Sequence, residues 1–494
     1  MELQERKNDN GDLKPDVSKD TFQRIIGSFG RYQFWLCILI FLCKFFVAFN
    51  QMAVIFYAPK VQYTCEDTKA ETCPCSQPVY NTSIFTNTIT MEWDLICDKK
   101  WLANLTQTLF QVGTLLGSVL FGMASDRFGR KKPLLVAVVL QLASSTLSAY
   151  APNYWSFTLS RVLIGVSVGG VMVTTFVLLM EFIGNEYRHV ISALYQAPFN
   201  MGHMLLPLCA YFVRDYTKFL LVTSLPSAIL LCYFCLIPES ARWLIAVKKT
   251  EEAIVILERV AKVNNRQTNV RSEVEAYERT LTGNNQKGNL SDLFRTPNLR
   301  KNIICMSFNW MTCSYCFYGV SQYVGHLSGN VFINVAASAS VSLLGSFVSI
   351  PLMKIAGRKT VVIVFNFICA LCLITLIFVP SGTLSVVLAC TGVVSSFIVF
   401  VVVYLYCTEL FPTVVRNAAI GFSSMMARVG SMLAPFVIDG GDIAYWVPPL
   451  GFAILPVLAC WVTFFLPETK DCDLMTTIEE GEVFGKKTKD VQTK

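Results

Sequence analysis

Apolar runs of roughly 20 residues recur about twelve times along the chain, and each is long enough to cross a hydrocarbon core as a helix rising 1.5 Å per residue. They lie near 33–57, 101–124, 133–150, 155–180, 189–213, 217–237, 301–325, 331–353, 360–379, 384–408, 417–438 and 446–466. Polar positions inside them are ordered. In the second run Asn104, Gln107, Gln111, Thr114 and Ser118 fall at i, i+3, i+7, i+10 and i+14. That spacing is one face of a helix. Gly421, Ser424, Arg428, Ser431 and Pro435 repeat it in the eleventh run, and Lys44 shares a face with Gln51 in the first. Amides and charges on such stripes are expected to line a cavity. The glycine pairs Gly113/Gly117 and Gly165/Gly169 are expected at tight helix contacts.

Composition names the solvent. Of 494 residues 53% are hydrophobic and only 15% charged, with mean hydropathy +0.50. A soluble chain would carry about 25% charged residues. The prediction is an all-α membrane protein of twelve transmembrane helices. Its first thirty residues, with Lys7, Asp9, Asp12, Lys14, Asp16, Lys19 and Asp20, are too polar for the apolar core of a signal peptide, so the first run starts insertion. Basic residues concentrate in DRFGRKK (126–132) and in 242–301, whereas the connections near Pro152, Pro380 and Asp439 have almost none. The positive-inside rule makes the basic segments cytoplasmic, and an even number of spans then places both termini inside. This bias accounts for the net charge of +7 and gives no reason to propose a nucleic acid partner.

The segment 57–100 falls outside. It holds Cys65, Cys73, Cys75 and Cys97 and the sequon Asn81-Thr82-Ser83. Four cysteines in an oxidising compartment form two disulfides in one of three pairings, and Asn81 can carry a glycan. A zinc site is the rival reading, but the segment has no histidine and zinc loops are mostly cytosolic. A second sequon at Asn104 lies too close to the membrane to be used.

The chain repeats itself. Gly129-Arg130 recurs at Gly357-Arg358 (357 − 129 = 228), and Glu181 and Arg188 recur at Glu409 and Arg416 with the same offset. Pro-Glu-Ser at 238 is matched by Pro-Glu-Thr at 467. One offset held across separated motifs marks a tandem duplication. The expected organisation is a cytoplasmic segment 1–32 and a six-helix half 33–240 with a large extracellular loop, 58–100. A cytoplasmic helical linker 241–300, a second six-helix half 301–470 and a cytoplasmic tail 471–494 follow.

Two six-span halves related by a parallel repeat are the major facilitator architecture, with substrate near the midplane. DRFGRKK resembles the signature of that superfamily. PESARWL (238–244), DLFRTPNLR (292–300), FNW (308–310), LSGN (327–330) and ELFPTVVRN (409–417) resemble the organic cation, organic anion and carnitine transporters of solute carrier family 22. The flavour is closest to invertebrate organic cation transporter-like proteins. The resemblance covers essentially the whole chain. It implies a plasma-membrane secondary transporter that moves small organic ions by alternating access. Sodium, a proton or a counter-substrate would be the coupling species, and membrane lipid surrounds the protein.

Residue chemistry can be read beside that resemblance. Asp126, Arg127, Arg130, Glu181 and Arg188 in one half, with Arg358, Glu409 and Arg416 in the other, are expected to form gating ion pairs at the cytoplasmic mouth. The bland reading is that they anchor helix ends. Arg161 resembles the superfamily's fourth-span arginine, serving the transport cycle or bracing helices. A charge at mid-span costs about 2.5–3.5 kcal/mol, so Lys44 and Arg428 are expected to face a cavity or a partner. Arg428 occupies a position that in the family tends to be Asp in cation transporters and Arg in anion and carnitine transporters. Gln196 and Tyr318 match family pocket positions, and Phe199, Trp310, Tyr315, Phe317 and Tyr404 supply aromatic faces for organic ions.

Some family features are missing. Ser342 and Lys354 replace common acids, Ser346 stands where some anion transporters have lysine, and Phe317 replaces a tyrosine. The cavity therefore leans positive, favouring organic anions or carboxylate-bearing zwitterions, carnitine-like or amino-acid-like. An organic cation transporter and a transport-dead ligand sensor of the same fold remain as alternatives. No nucleotide-binding G-x-x-x-x-G-K-[ST] occurs, which disfavours a pump. His189, His203 and His326 lie far apart and give neither a catalytic set nor metal spacing, so neither an enzyme nor a cofactor is expected.

Overall fold

The apolar runs fold as helices within a few residues of their predicted limits. A computed structural model describes residues 21–66, 73, 75–281, 290–470, 472, 475 and 477–485. Span 1 is Arg31–Met52 continued by Val54–Tyr57, span 2 Trp101–Phe128, span 3 Lys131–Ser148 and span 4 Tyr154–Phe182. Span 5 comprises Asn185–Leu194 and Ala197–Phe212; span 6 runs from Tyr216–Ser224 through a 3-10 segment, Leu225–Cys232, into Tyr233–Leu236. Spans 7 to 12 are Pro297–Val324, Val331–Ile355, Arg358–Phe378, Thr383–Leu410, Thr413–Asp439 and Val447–Thr463. Most of the predicted segment 1–32, part of the tail and pieces of the external loop and linker lie outside the described residues.

Among the described residues, eight helices are long and apolar enough to cross a membrane unaided. The remaining passages have physical reasons for falling short. Span 7 carries buried Asn302, Ser307, Asn309, Thr312, Ser314 and Ser321, polar groups that neighbouring helices shield from lipid. Span 5 is interrupted after Leu194 and restarts at Ala197, where Pro198 fits the first turn of the new segment because its missing N–H would be unpaired there anyway. Span 6, one of the eight, is also irregular: its 3-10 segment begins with Pro226 in its first turn.

Within the first set of six, span 2 packs along span 4; within the second, span 7 packs along span 11. The two sets meet where span 2 faces span 11 and span 5 faces span 8. The contact of spans 2 and 4 depends on small residues. A side chain begun at Gly117 would sit 2.0 Å from the Val166 carbonyl oxygen, and one at Gly165 would sit 2.1 Å from that of Phe110. Only glycine lets the two backbones come so close, as the spacing predicted.

One end of the bundle carries the cysteine loop and is called the loop face. There Tyr63–Cys65 pairs antiparallel with Pro78–Tyr80, and disulfides join Cys65 to Cys75 and Cys73 to Cys97. Asn81 follows the hairpin and is exposed. The opposite end, the linker face, holds the helices Ala241–Ala246, Thr250–Val263, Val270–Leu281 and Leu290–Arg295. The linker is tied to the first half: Trp243 Nε1 donates to the Asp126 carbonyl at 2.8 Å, and Asn264 Nδ2 donates to the Ile26 carbonyl at 2.8 Å.

Gly117→Ala is expected to cost about 3 kcal/mol or more, because the added methyl meets backbone that cannot yield. Gly122→Ala is the control, since its methyl would meet only a Val173 side-chain carbon at 3.9 Å. Thermal unfolding of the purified variants should show a large fall for the first and none for the second. Equal behaviour would remove the close-packing argument.

Candidate functional site

At the linker face the duplicated motifs build the same device twice. The Glu239 carboxylate accepts from the backbone N–H of Arg130 at 2.6 Å and from that of Lys131 at 3.2 Å. Glu468 likewise accepts from the Arg358 N–H at 2.8 Å. Each carboxylate satisfies orphan donors at a helix start and lies at the positive end of its dipole. The preceding glycines leave room: a side chain begun at Gly129 would meet Glu239 at 2.3 Å, and one at Gly357 would meet Glu468 at 2.1 Å. Gly129 also has φ +94, which disfavours any other residue.

Arg130 then pairs with Glu181 at 3.0 Å and with Asp126 at 2.7 Å, and Arg358 pairs with Glu409 at 2.8 Å. Burial opposes the charge on Arg130, but Glu181 and then Asp126 outweigh it and raise its pKa above the ordinary value. Arg188 Nε donates to the Ile183 carbonyl and Arg416 Nε to that of Phe411, both at 3.2 Å, bracing equivalent bends after spans 4 and 10. Each of these pairs lies inside one half.

The ion pairs of Lys60 and Lys100, by contrast, cross between the halves at the loop face. Lys60 Nζ lies 2.6 Å from Asp442, and Lys100 pairs with the other oxygen of the same carboxylate. Asn104 donates to Asp439, and Thr108 Oγ1 donates to the Met432 carbonyl at 3.1 Å. Phe56 stacks on Phe332 across the seam, with ring centroids 5.9 Å apart. Above this seal lies a cavity of about 800 Å³ lined by Lys60, Lys100, Tyr323, His326, Asp439 and Asp442 among others. Burial, then Lys60 and Lys100, push the His326 imidazole down to about 4, so it is neutral at physiological pH.

Below the seal, the span 11 stripe opens progressively toward the linker face. Pro435, Ser431 and Arg428 are buried, Ser424 is half-buried and Gly421 is exposed, with no atom within 4 Å of where its side chain would begin. At the depth of Arg428 the helices converge on an aromatic box. Arg428 Nη2 lies 3.5 Å from Met172 Sδ, with the Tyr318 and Tyr404 hydroxyls and Lys44 within electrostatic reach. Lys44 Nζ sits 4.7 Å from the Tyr195 ring centroid and 5.7 Å from that of Phe199. Phe199 meets Phe317 and Tyr318, and Trp310 meets Tyr404 at 4.2 Å. Neither Lys44 nor Arg428 forms an ion pair among the described residues.

The structure therefore gathers Lys44, Phe199, Trp310, Phe317, Tyr318, Tyr404 and Arg428 in one place. Gln107 and Gln111 are buried on the same inner stripe of span 2, and Gln196 is buried at the break in span 5. Three expectations need correction. Tyr315 points away, donating to the Gly451 carbonyl at 3.0 Å and packing on Phe452 of span 12. Arg127 lies over the ring of its neighbour Phe128, outside the ion-pair cluster. Arg161 is buried far from the linker face, where Nη2 donates to the Asn50 carbonyl at 2.8 Å and the guanidinium covers Tyr57 and Phe110. It braces spans 1, 2 and 4.

Sequence reasoning missed Met172, Phe176 and Tyr195 in the box and Lys60, Lys100 and Asp442 at the seal. Met172 and Phe176, four residues apart on span 4, gave a helical-face signal, but so do most apolar pairs in this chain. The lysines and Asp442 are separated by more than 300 residues, and nothing local links them.

Comparison with known proteins identifies the family and the fold. Residues 36–480 match the family described as sugar (and other) transporter. The chain is 35% identical over 431 residues to an organic cation transporter protein of Drosophila melanogaster, covering 84% of this chain and 78% of that one. It is 34% identical over 405 residues to the human organic cation/carnitine transporter 2, covering 81% and 73%. Rabbit (Oryctolagus cuniculus) solute carrier family 22 member 1 is 33% identical over 425 residues, covering 85% and 76%. Among solved structures, the inward-open xylose transporter XylE from E. coli superimposes with TM-score 0.69 at 17% identity, covering 91% and 99%. The chain is a member of the sugar (and other) transporter family, a major facilitator transporter whose relatives include organic cation transporter-like and other solute carrier family 22 proteins.

Proposed function

We propose that this transporter carries small organic anions or carboxylate-bearing zwitterions across the plasma membrane by alternating access, with Arg428 and Lys44 holding the anionic group. One observation carries the reading: two buried basic side chains lie within electrostatic reach of each other between the halves, and neither forms an ion pair among the described residues. A buried charge without a counter-ion is costly, and a bound carboxylate removes that cost for both. The Arg428 fork offers two parallel donors to such a group, which a lysine cannot reproduce. A simple cation, the substrate class in the name of the Drosophila relative, would meet two like charges here.

The sealed loop face and the open span 11 stripe describe one state of the cycle, open at the linker face. The positive-inside rule makes that face cytoplasmic and the loop face external. In this reading the Lys60–Asp442–Lys100 contact closes the outer gate. The linker-face pairs keep each half rigid while the halves rock.

Three outcomes are expected. Arg428→Ala should reduce uptake of anionic and zwitterionic compounds per surface molecule by more than tenfold, Arg428→Lys by less, and Arg428→Asp should turn preference toward cations; normal uptake by Arg428→Ala would sink the anion reading. Asp442→Asn should raise labelling of Ser431→Cys, buried below the seal, by a membrane-impermeant thiol reagent about fivefold, since exposed ion pairs contribute about 1 kcal/mol; an unchanged rate would mean the contact is no gate. Treatment with a glycosidase should shift the mobility of the wild type but not of Asn81→Gln, and an Asn81 loop reached only from the cytosol would reverse the orientation.

A further inference from the structure

Beside the cation pair lies hydrogen-bonding capacity that nothing in the protein uses. Gln51, Gln107 and Gln111 are 0%, 1% and 0% exposed. Of their side-chain polar atoms only Gln107 Nε2 is engaged, donating to the Gln51 carbonyl at 3.4 Å; both polar atoms of Gln51, both of Gln111 and Gln107 Oε1 have no partner among the described residues. Buried amides are normally satisfied, and an unmet one carries its full desolvation cost. Three together on one face mark a place that a ligand completes.

Their position follows from contacts on either side. Span 2 is held to span 11 through Asn104 and Thr108 and to span 1 through Gln107. Gln111 follows those residues by seven, three and four positions, so it shares their face and is aimed at the seam. Spans 2 and 11 run antiparallel. The Thr108–Met432 contact therefore places Arg428, one turn nearer the linker face, at about the level of Gln111. Gln107 and Gln51 form the next layer up, directly under the loop-face seal. Lys44 lies seven residues before Gln51, about 10 Å toward the linker face.

The other half of the site argues against a quaternary ammonium. Two of the box's aromatic faces, Tyr195 and Phe199, are already covered by the chain's own Lys44 ammonium, and that charge with Arg428 repels a second cation from the rest. What is free is a set of neutral donors and acceptors beside an anion-binding fork.

We infer that the substrate is a small carboxylate bearing several hydroxyl or keto oxygens, which lodge on Gln51, Gln107 and Gln111 while the carboxylate engages Arg428 and Lys44. Apolar acids and ammonium zwitterions are the compounds it discriminates against. This rests on the anion reading above and narrows it.

The test uses the full chain in proteoliposomes and two acids that share a ring and a carboxylate: radiolabelled quinate, which carries four hydroxyls, and cyclohexanecarboxylate, which carries none. L-Carnitine is the third probe. The wild type should take up quinate with kcat/KM at least tenfold above either of the others, because a site built for hydroxyls rejects an analogue that leaves its amides unmet. Gln111→Leu and, separately, Gln107→Leu should narrow the ratio of quinate to cyclohexanecarboxylate at least fivefold. If Gln111→Leu fails to assemble, Gln107→Leu and Gln51→Leu carry the comparison, with thermal unfolding confirming that they fold. Absent quinate uptake, equal uptake of the two acids, a preference for carnitine, or a ratio unmoved in the folded variants would overturn the proposal. Arg428→Ala separates the two readings. If both acids enter equally but need Arg428, only the glutamine assignment fails; if neither needs Arg428, the anion reading fails with it.

Discussion

Lys44 and Arg428 are buried within electrostatic reach of each other in the middle of a helical bundle, and neither forms an ion pair among the described residues. Other buried or half-buried cations of this chain are provided for. Arg161 has a backbone carbonyl and two aromatic faces, and Arg130 and Arg358 have glutamates from neighbouring helices. A cation in a low-dielectric interior is tolerated only with such help or with water. The central pair therefore constrains everything around it. The halves must come together at this level, and they must leave a route by which something polar or negative can arrive. The open stripe on span 11 below Arg428 is such a route, and the seam above it is sealed.

The helices were legible because a bilayer imposes length and apolarity on each passage, and the stripes were legible because 3.6 residues per turn turns spacing into a face. The Gly113/Gly117 and Gly165/Gly169 contacts follow from the same arithmetic. The constant offset of 228 residues predicted two equivalent halves, and the equivalence reaches individual hydrogen bonds: Glu239 and Glu468 cap the third and ninth helices in the same way. Their role was not legible in advance. Pro-Glu-Ser and Pro-Glu-Thr were visible as a repeat, but the donors they satisfy lie more than 100 residues earlier in the chain.

Sequence reasoning failed where a side chain's direction depends on which neighbour fills the space. Tyr315 and Tyr318 are one turn apart on span 7, yet one turns to span 12 and the other to the central box. Their spacing could not divide them, because span 7 is buried on every side from Thr312 to Gln322 and no exposed face sets the register there. The seal at the loop face was missed for a related reason. Lys60, Lys100 and Asp442 sit in connections rather than helices, where no periodicity applies.

The two ends of the bundle differ in kind. At the linker face the ion pairs of Arg130 and Arg358 are each internal to one half and flanked by capped helix ends, so opening that face breaks none of these. At the loop face the charged contacts cross between halves and are made by solvent-accessible side chains, 57% exposed at Lys60 and 38% at both Lys100 and Asp442. Exposed pairs contribute about 0–1 kcal/mol each in water. So small a charged component opposes opening only weakly, by an amount that a substrate's differential affinity for the two states can offset. A deeply buried inter-half salt bridge would have fixed the carrier in one state, whereas rigid halves joined by weak, wet contacts leave the balance to whatever neutralises Lys44 and Arg428.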